Sequence, residues 1–241
     1  MRKFFPAVLL LLGAVISIKA TTPPVDADII VSKSGDGDYT TIQEAIDAAP
    51  DNNSSHTLIF IRNGIYEETL NVTASKRNLV LYGEDALGTV ITYATEPTLD
   101  LATLEVYATG FVACNLTIEN TAGPSYGPAQ ALRQEVDRSI YMNCRITGNQ
   151  DTFRNKRIRS YFRNCYIEGT TDFIFGDGTI VFEDCELYSK GGSAITAAST
   201  QQYVTYGYVF RNCRVASKSG TTTYLGRPWK DYAAVAYINC E

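Results

Sequence analysis

A repeat of 21 residues in the middle of the chain is the feature that most constrains its fold. Residues 143–151 read NCRITGNQD and residues 164–172 read NCYIEGTTD, so Asn, Cys, Ile, Gly and Asp recur at the same offsets. A chain that returns to the same lateral position once per repeat places Asp151 and Asp172 on neighbouring strands, roughly 4.8 Å apart. Two carboxyls at that spacing rarely ionise alike. The repeat therefore predicts a nucleophile or base beside a general acid.

The cysteines extend this pattern through the second half of the chain. Five of the six cysteines are followed two residues later by an aliphatic residue, as in an inward-facing pair on a strand. These pairs are Cys114 and Leu116, Cys144 and Ile146, Cys165 and Ile167, Cys185 and Leu187, and Cys213 and Val215, with Cys240 starting another. We interpret them as a ladder of buried thiols. A disulfide between Cys165 and Cys185 stays open, because adjacent strands lie near the permitted Cα separation.

Short β-rich segments return every 20 to 30 residues, which is typical of the coils of a solenoid. We expect strands at residues 29–31, 58–61, 70–72, 79–82, 90–93, 104–106 and 111–118. A capping box at residues 41–44 and an apolar stripe that ends before Pro50 predict one helix, which would cover the open end of the stack. The sequence therefore predicts an all-β fold, a right-handed parallel β-helix with a short N-terminal capping helix. A β-sandwich is the alternative, but it does not explain the aligned cysteines.

The two ends of the chain lead to three further predictions. Residues 1–20 combine a basic start, an apolar run too short to span a membrane and a small last residue, as in a secretory signal peptide. Residues 21–27 read as a linker and residues 28–241 as one domain. Residues 236–241 begin a further strand that would leave an uncovered edge, so we expect the chain to be truncated at its C-terminus.

Charge and missing residue types exclude several classes of function. Removing residues 1–20 leaves 18 basic and 26 acidic residues, a net charge near −8 that argues against nucleic acid as a partner. We expect a secreted monomer that does not bind membranes. The only histidine, His56, lies in a polar loop, and no Cys-x-x-Cys motif occurs, so His-dependent triads and zinc sites are not predicted. Catalysis would have to use carboxylates, amides, arginine or tyrosine.

Five blocks, in this order along the chain, resemble the signature sequences of the pectin methylesterase (pectinesterase) family. They read GDYTTIQEAI at 37–46, GIYEE at 64–68, GNQDT at 148–152, DFIFG at 172–176 and LGRPW at 225–229. The resemblance runs from about residue 28 to the end. It implies a right-handed parallel β-helix that hydrolyses the methyl esters of galacturonate in pectin, without a metal or other cofactor.

The resemblance also implies roles for individual residues. Asp172 would be the nucleophile and Asp151 the general acid and then the general base. Arg227 would hold Asp172 in place, and Gln150 would donate to the oxyanion. Contacts with the sugar chain are expected from four further side chains, namely Trp229, Phe175, Tyr66 and Arg154.

Two departures from the family pattern stand out. Residues 127–133 read GPAQALR, so Pro128 occupies the place where the family has a second glutamine that donates to the oxyanion. We expect Gln130 to replace that glutamine, because it lies two residues after Pro128 and therefore on the same face of the strand. Arg154 replaces an aromatic residue and opens a basic cluster with Lys156, Arg157, Arg159 and Arg163. The cluster is either a solvated loop or a site for the free carboxylates of partly de-esterified pectin.

Three alternatives to an esterase stay open at this point. Pectate lyases and polygalacturonases are also β-helices that act on the same polymer. An inactive β-helix that binds carbohydrate is the third alternative, which Pro128 and the expected truncation keep open.

Overall fold

The computed structural model describes residues 27–95, 100–157 and 159–241, so the predicted signal peptide and nearly all of the linker lie outside the described residues. Within these residues, 23 strands, numbered in chain order, form three parallel sheets. In spatial order, sheet A contains β1 (Ile29–Val31), β2 (Thr57–Ile61), β5 (Leu79–Gly83), β8 (Val112–Cys114), β11 (Ser139–Met142), β14 (Arg159–Arg163), β17 (Thr179–Glu183), β20 (Tyr208–Arg211) and β23 (Val235–Ile238). Sheet B contains β3 (Gly64–Glu67), β6 (Thr89–Tyr93), β9 (Thr117–Asn120), β12 (Arg145–Thr147), β15 (Tyr166–Gly169), β18 (Glu186–Ser189) and β21 (Arg214–Ser217). Sheet C contains β4 (Leu70–Val72), β7 (Ala102–Val106), β10 (Gln130–Gln134), β13 (Phe153–Asn155), β16 (Ile174–Gly176), β19 (Ala194–Ala198) and β22 (Tyr224–Pro228).

From β2 onwards, successive strands belong to sheets A, B and C in turn, and each strand pairs in parallel with the equivalent strand of the next coil. Thus β11, β12 and β13 form one coil and β14, β15 and β16 the next, with Ile146 opposite Ile167 in the shared register. The predicted parallel β-helix is confirmed. A β-sandwich is excluded because its sheets are antiparallel.

The corner between sheets A and B explains the asparagine of the repeat. An asparagine or aspartate occupies this corner in six coils, each with φ between 51° and 54°, where these two residue types are tolerated best. The corner residues are Asn115, Asn143, Asn164, Asp184, Asn212 and Asn239. One of them breaks the strand predicted at residues 111–118, which is in fact two strands, β8 and β9.

Five of the six cysteines are buried free thiols, as predicted, but only four of these five lie in one ladder. Cys144, Cys165, Cys185 and Cys213 are buried and free, so no Cys165–Cys185 disulfide forms. Cys114 pairs with Met142 and not with Cys144, because it precedes its corner residue, Asn115, while the other cysteines follow the corner asparagine or aspartate of their coils. Leu116 occupies the ladder position in that coil.

A second ladder, of aromatic rings, fills the core beside the cysteines. Its rings stack with centroids 4.4 to 4.9 Å apart, a favourable offset arrangement. The members are Tyr141, Phe162, Phe182, Phe210 and Tyr237, each three residues before a cysteine. The members of each ladder recur once per coil, and the two ladders together hold neighbouring coils in register.

The predicted capping helix is α1 (Ile42–Ala48), which packs against β1, β2 and β4 of the first coils. The Thr41 side chain accepts a hydrogen bond from the Glu44 amide, and the Glu68 carboxylate accepts two more from the amides of Ile42 and Gln43. These acceptors satisfy amides that the helix itself leaves unpaired. In the described part of the chain, no helix is long and apolar enough to cross a membrane.

Candidate active site

The two aspartates of the repeat lie in the turn between sheets B and C of successive coils. Phe153 pairs with Ile174, which aligns the residues two positions earlier, Asp151 and Asp172. The Asp151 amide donates to the carbonyl oxygen of Thr171 at 3.1 Å. Both aspartates have positive φ, 61° and 52°, which short polar residues such as Asp adopt more readily than most. Their predicted placement on neighbouring coils is confirmed.

Arg227 forms an ion pair with Asp172. Its Nε donates to Oδ1 at 2.9 Å and to Oδ2 at 3.0 Å, and its Nη2 also contacts Oδ2. The carboxylate is buried, with 5% of the residue exposed, while the Arg227 side chain is half exposed. These hydrogen bonds raise the pKa of Arg227, because they favour the charged guanidinium. A planar fork of donors fixes the carboxylate in one orientation.

Asp151 has a different electrostatic environment from its neighbour. Burial, and after it the negative charge of Asp172, raise the pKa of Asp151 to about 6. The guanidinium groups of Arg227 and Arg154 oppose this shift. A carboxyl group with such a pKa can release and recover a proton near neutral pH, as a general acid or base must.

Two adjoining clefts open beside the aspartates. The smaller cleft has a volume of about 120 Å³ and is lined by Gln150, Asp151, Asp172, Phe175, Arg227 and Trp229, among others. The larger, about 260 Å³, contains Gln130, Asp151, Arg154, Lys156, Phe175 and Trp229 together with further residues. Asp151, Phe175 and Trp229 border both. Gln150 therefore shares a cleft with both aspartates, whereas Gln130 shares one with Asp151.

The aromatic wall of these clefts consists of Phe175 and Trp229. Their ring centroids are 5.9 Å apart with the planes inclined at 60°, an edge-on contact. Phe175 is 7% exposed and Trp229 46% exposed, so nearly half of Trp229 is open to solvent beside the buried Phe175. An exposed aromatic side chain of this kind suits contact with a sugar ring.

The prediction that Tyr66 contacts substrate is wrong. Tyr66 points inward from β3, is fully buried, and its hydroxyl donates to the carbonyl oxygen of Arg62 at 2.9 Å. Alternation along the strand explains the error, because the exposed neighbours Ile65 and Glu67 take the outward face.

The predicted basic cluster is largely paired with acidic side chains. Arg154 lies 3.4 Å from Glu135, and Arg159 makes a forked ion pair with Asp137. Of the five cluster residues, Arg154 and Lys156 border the larger cleft, while Arg157 and Arg159 line a neighbouring depression. Arg163 borders a third depression, so the cluster is divided among three places.

Several residues at the larger cleft were missed at the sequence level. Asn155, Asp177 and Ser199 border it, and Arg133 contacts Gln130 from behind. The alignment of Asn155 with Gly176, one repeat later, was the available signal, because it places Asn155 at the end of the strand that follows Asp151. Among the described residues, no group of three or more His, Cys, Asp or Glu side chains could hold a metal ion.

The described chain thus combines a parallel β-helix with two aspartates in stacked turns, one of which is paired with an arginine. The family model described as Pectinesterase matches residues 28–241. The chain belongs to the pectinesterase family.

Known proteins agree with this assignment. Among curated sequences, the chain is 38% identical to probable pectinesterase/pectinesterase inhibitor 64 of Arabidopsis thaliana, covering 89% of this chain and 41% of that protein. It is 37% identical to probable pectinesterase 56 of the same plant, covering 88% and 80%. The chain thus spans about two fifths of the first relative and four fifths of the second.

Solved structures share the fold. A pectin methylesterase from carrot superimposes with a TM-score of 0.86 at 32% identity, over 91% of this chain and 74% of that one. A pectin methylesterase in complex with a hexasaccharide superimposes with a TM-score of 0.81 at 32% identity, over 92% and 79%.

Proposed function

We propose that this protein is a pectin methylesterase that hydrolyses the methyl esters of galacturonate in pectin and releases methanol. One observation carries the proposal. Two aspartates in equivalent turns differ in their surroundings, because Asp172 is paired with Arg227, whereas the pKa of Asp151 is raised to about 6. A nucleophile and a proton donor are the two groups that ester hydrolysis of this kind needs.

In the first half of the reaction, a carboxylate oxygen of Asp172 attacks the ester carbonyl carbon. The carbonyl oxygen becomes an oxyanion, to which the Gln150 amide donates a hydrogen bond, with Gln130 as the second donor. When the intermediate collapses, the bond to the methoxyl oxygen breaks. Asp151 gives its proton to that oxygen, so methanol leaves and an anhydride joins Asp172 to the galacturonate.

In the second half, water attacks the galacturonate carbonyl carbon of the anhydride. The Asp151 carboxylate accepts the proton of the water, and the bond to Asp172 breaks. The free galacturonate carboxyl group and the Asp172 carboxylate are released, and Asp151 is protonated for the next cycle. Arg227 keeps the nucleophile aimed throughout, since the fork of hydrogen bonds restricts its rotation.

The polymer binds across the aromatic wall in this proposal. Trp229 stacks on a sugar ring, with Phe175 behind it. Arg154 and Lys156 border the larger cleft, where they attract the free carboxylates of neighbouring galacturonates. Residues 1–20 direct export, and the mature protein acts as a monomer on pectin outside the cell, where it modifies the wall polymer.

Product analysis tests the proposal. Purified protein is incubated with highly methylated pectin, and methanol, titratable acid, reducing ends and absorbance of unsaturated products are followed with and without a chelator. We expect methanol and acid to appear in equal amounts, unaffected by the chelator, with no reducing ends and no ultraviolet absorbance.

Three other results would each contradict the proposal and indicate a different function. A calcium-dependent rise in ultraviolet absorbance would indicate a lyase, and new reducing ends would indicate a galacturonase. Binding of pectin without release of methanol would indicate an inactive carbohydrate-binding β-helix.

A further inference from the structure

Arg133 in β10 is a buried charged residue behind the larger cleft, with 5% of its surface exposed. Its Nη1 lies 3.0 Å from the Glu105 carboxylate and donates to the carbonyl oxygen of Asp100, and its Nη2 pairs with the Asp100 carboxylate at 2.6 Å. Glu105 is itself 7% exposed. These contacts use the two terminal nitrogens and hold the guanidinium plane in one orientation.

The remaining donor of Arg133 is directed at Gln130. The Arg133 Nε donates to the Gln130 Oε1 at 2.9 Å. A guanidinium can only donate, so the atom facing it has to be the amide oxygen and not the amide nitrogen. The Gln130 Nε2 group therefore faces away from Arg133. Gln130 borders the cleft that contains Asp151. With its oxygen held by Arg133, the Gln130 side chain can act as a hydrogen-bond donor in that cleft.

A β-bulge brings these two side chains together. Pro128 pairs with Gln150 and Leu132 with Phe153, so the β10 side has one more residue between the pairs than the next coil has. The amides of Ala131 and Leu132 both donate to the carbonyl oxygen of Thr152, at 2.9 and 3.1 Å. In a regular strand, residues three apart point to opposite faces. The extra residue changes the direction of Gln130, as bulges beside active sites commonly do.

We propose that Arg133 is a positioning residue, which holds the Gln130 amide so that its N–H groups donate into the cleft beside Asp151. The inference rests on the proposed esterase reaction and deepens it. Pro128 provides no side-chain donor, and the amide of Gln130 donates in its place only while its oxygen is turned towards Arg133. Without the Nε contact the amide rotates, and its oxygen would face the developing oxyanion for part of the time.

A double-mutant cycle on methylated pectin tests this role. Gln130→Met removes the amide and keeps the length of the side chain, and we expect kcat to fall about 100-fold, as for the loss of one oxyanion donor. Arg133→Lys keeps a positive charge beside Glu105 and removes the fork, and we expect kcat to fall about tenfold with KM unchanged. In the Gln130→Met background, Arg133→Lys has no further effect on kcat, because its action passes through Gln130.

Additive effects in the cycle would overturn the proposal, since Arg133 would then act on catalysis by a route other than Gln130. So would a kcat within twofold of wild type for Gln130→Met. Methanol release by the wild type is measured in parallel. Its absence would contradict the proposed function itself, whereas an active wild type with an additive cycle would contradict the role of Arg133 alone.

Gln130→Glu provides a test that leaves the buried ion pairs untouched. The new carboxylate accepts from Arg133 as the amide does, but it presents a second oxygen to the oxyanion. We therefore expect a kcat below that of Gln130→Met at pH 7, with an unchanged thermal midpoint. A kcat for Gln130→Glu equal to or above that of Gln130→Met would show that no N–H of residue 130 is needed, and would overturn the proposal even if Arg133→Lys does not fold.

Discussion

Asp151 and Asp172 occupy the same turn of successive coils and share one backbone conformation, but their electrostatic environments are opposite. The carboxylate of Asp172 receives a fork of hydrogen bonds from Arg227. Asp151 is subject to burial and to the charge of Asp172, which raise its pKa to about 6. Identical positions in a repeat therefore have different chemical properties.

The difference arises from residues that do not repeat. Arg154, Phe175, Ala197 and Arg227 occupy one row across sheet C, where each coil presents a different side chain. Arg227 reaches Asp172 from two coils away, past the small side chain of Ala197. The repeat sets the spacing of the aspartates, and the variable row sets which side chains surround each of them.

The largest expected effect is the loss of the nucleophile. Asp172→Asn keeps the shape of the side chain and its tolerance of positive φ, but an amide is a poor nucleophile. We expect methanol release to fall by about 10⁴-fold or more. In Asp151→Asn the nucleophile is still present, so we expect a smaller loss, about 10²- to 10³-fold. Methanol assays measure both, with circular dichroism as the control for folding.

This comparison can fail in two ways. Near-normal activity in either variant would contradict the proposed mechanism. A larger loss for Asp151→Asn than for Asp172→Asn would mean that the two roles are exchanged.

Removal of the fork around Asp172 comes next. Arg227→Lys keeps one positive charge but replaces a planar donor by a single ammonium, so the nucleophile is less well oriented. We expect kcat to fall about 10- to 100-fold. Arg214→Lys is the matched control, because Arg214 lies in the same coil as Arg227 and makes an exposed ion pair with Glu186 at 3.1 Å. Equal activities of the two variants would contradict an orienting role for Arg227.

The raised pKa of Asp151 predicts a stability effect that does not depend on catalysis. The unfolded chain releases the Asp151 proton near pH 4 and the folded chain near pH 6. The free energy of unfolding of the wild type therefore decreases as the pH rises between these values. The difference of about two pH units corresponds to about 3 kcal/mol. Asp151→Asn cannot ionise. We expect it to be more stable than the wild type by about that amount above pH 6 and similar to it below pH 4.

Urea unfolding at pH 4, 5, 6 and 7 measures this difference. Asp177→Asn is the control, because it removes a carboxylate from the rim of the same cleft and leaves Asp151 in place. A stability difference for Asp151→Asn that does not change with pH would contradict the raised pKa.

The sequence predicted the fold and the aspartates better than it predicted the surroundings of the site. A fixed period determines which residues stack, so the alignment of Asp151 with Asp172 could be read directly. The aromatic ladder could also have been recognised, since each ring precedes a cysteine by three residues. Cys114 was assigned to the wrong register because a Cys-x-aliphatic pattern does not reveal on which side of the corner asparagine the cysteine lies.

Residues outside the repeat could not be placed in this way. Nothing in the sequence near Tyr66 indicates which face of β3 is inward, and the family resemblance alone suggested substrate contact. The contact between Arg133 and Gln130 depends on a β-bulge, and the local sequence contains no pattern that predicts this bulge. These interactions depend on tertiary structure, and periodicity carries no information about them.

The smallest expected effect concerns Arg154, whose positive charge lowers the pKa of Asp151 against the larger effects of burial and Asp172. In the proposed mechanism Asp151 has to be protonated when the ester is attacked, so kcat/KM falls about tenfold for each pH unit above the pKa of about 6. Arg154→Gln removes the opposing charge, and the descending limb of the pH profile should move to higher pH by a fraction of a unit.

Arg154→Lys, which keeps the charge, and Arg163→Gln, which removes a charge from the exposed β14 far from both clefts, should leave the limb in place. A limb that moves to lower pH in Arg154→Gln would mean that the titrating group is not a carboxyl beside this guanidinium, and the assignment of Asp151 as the general acid would be wrong.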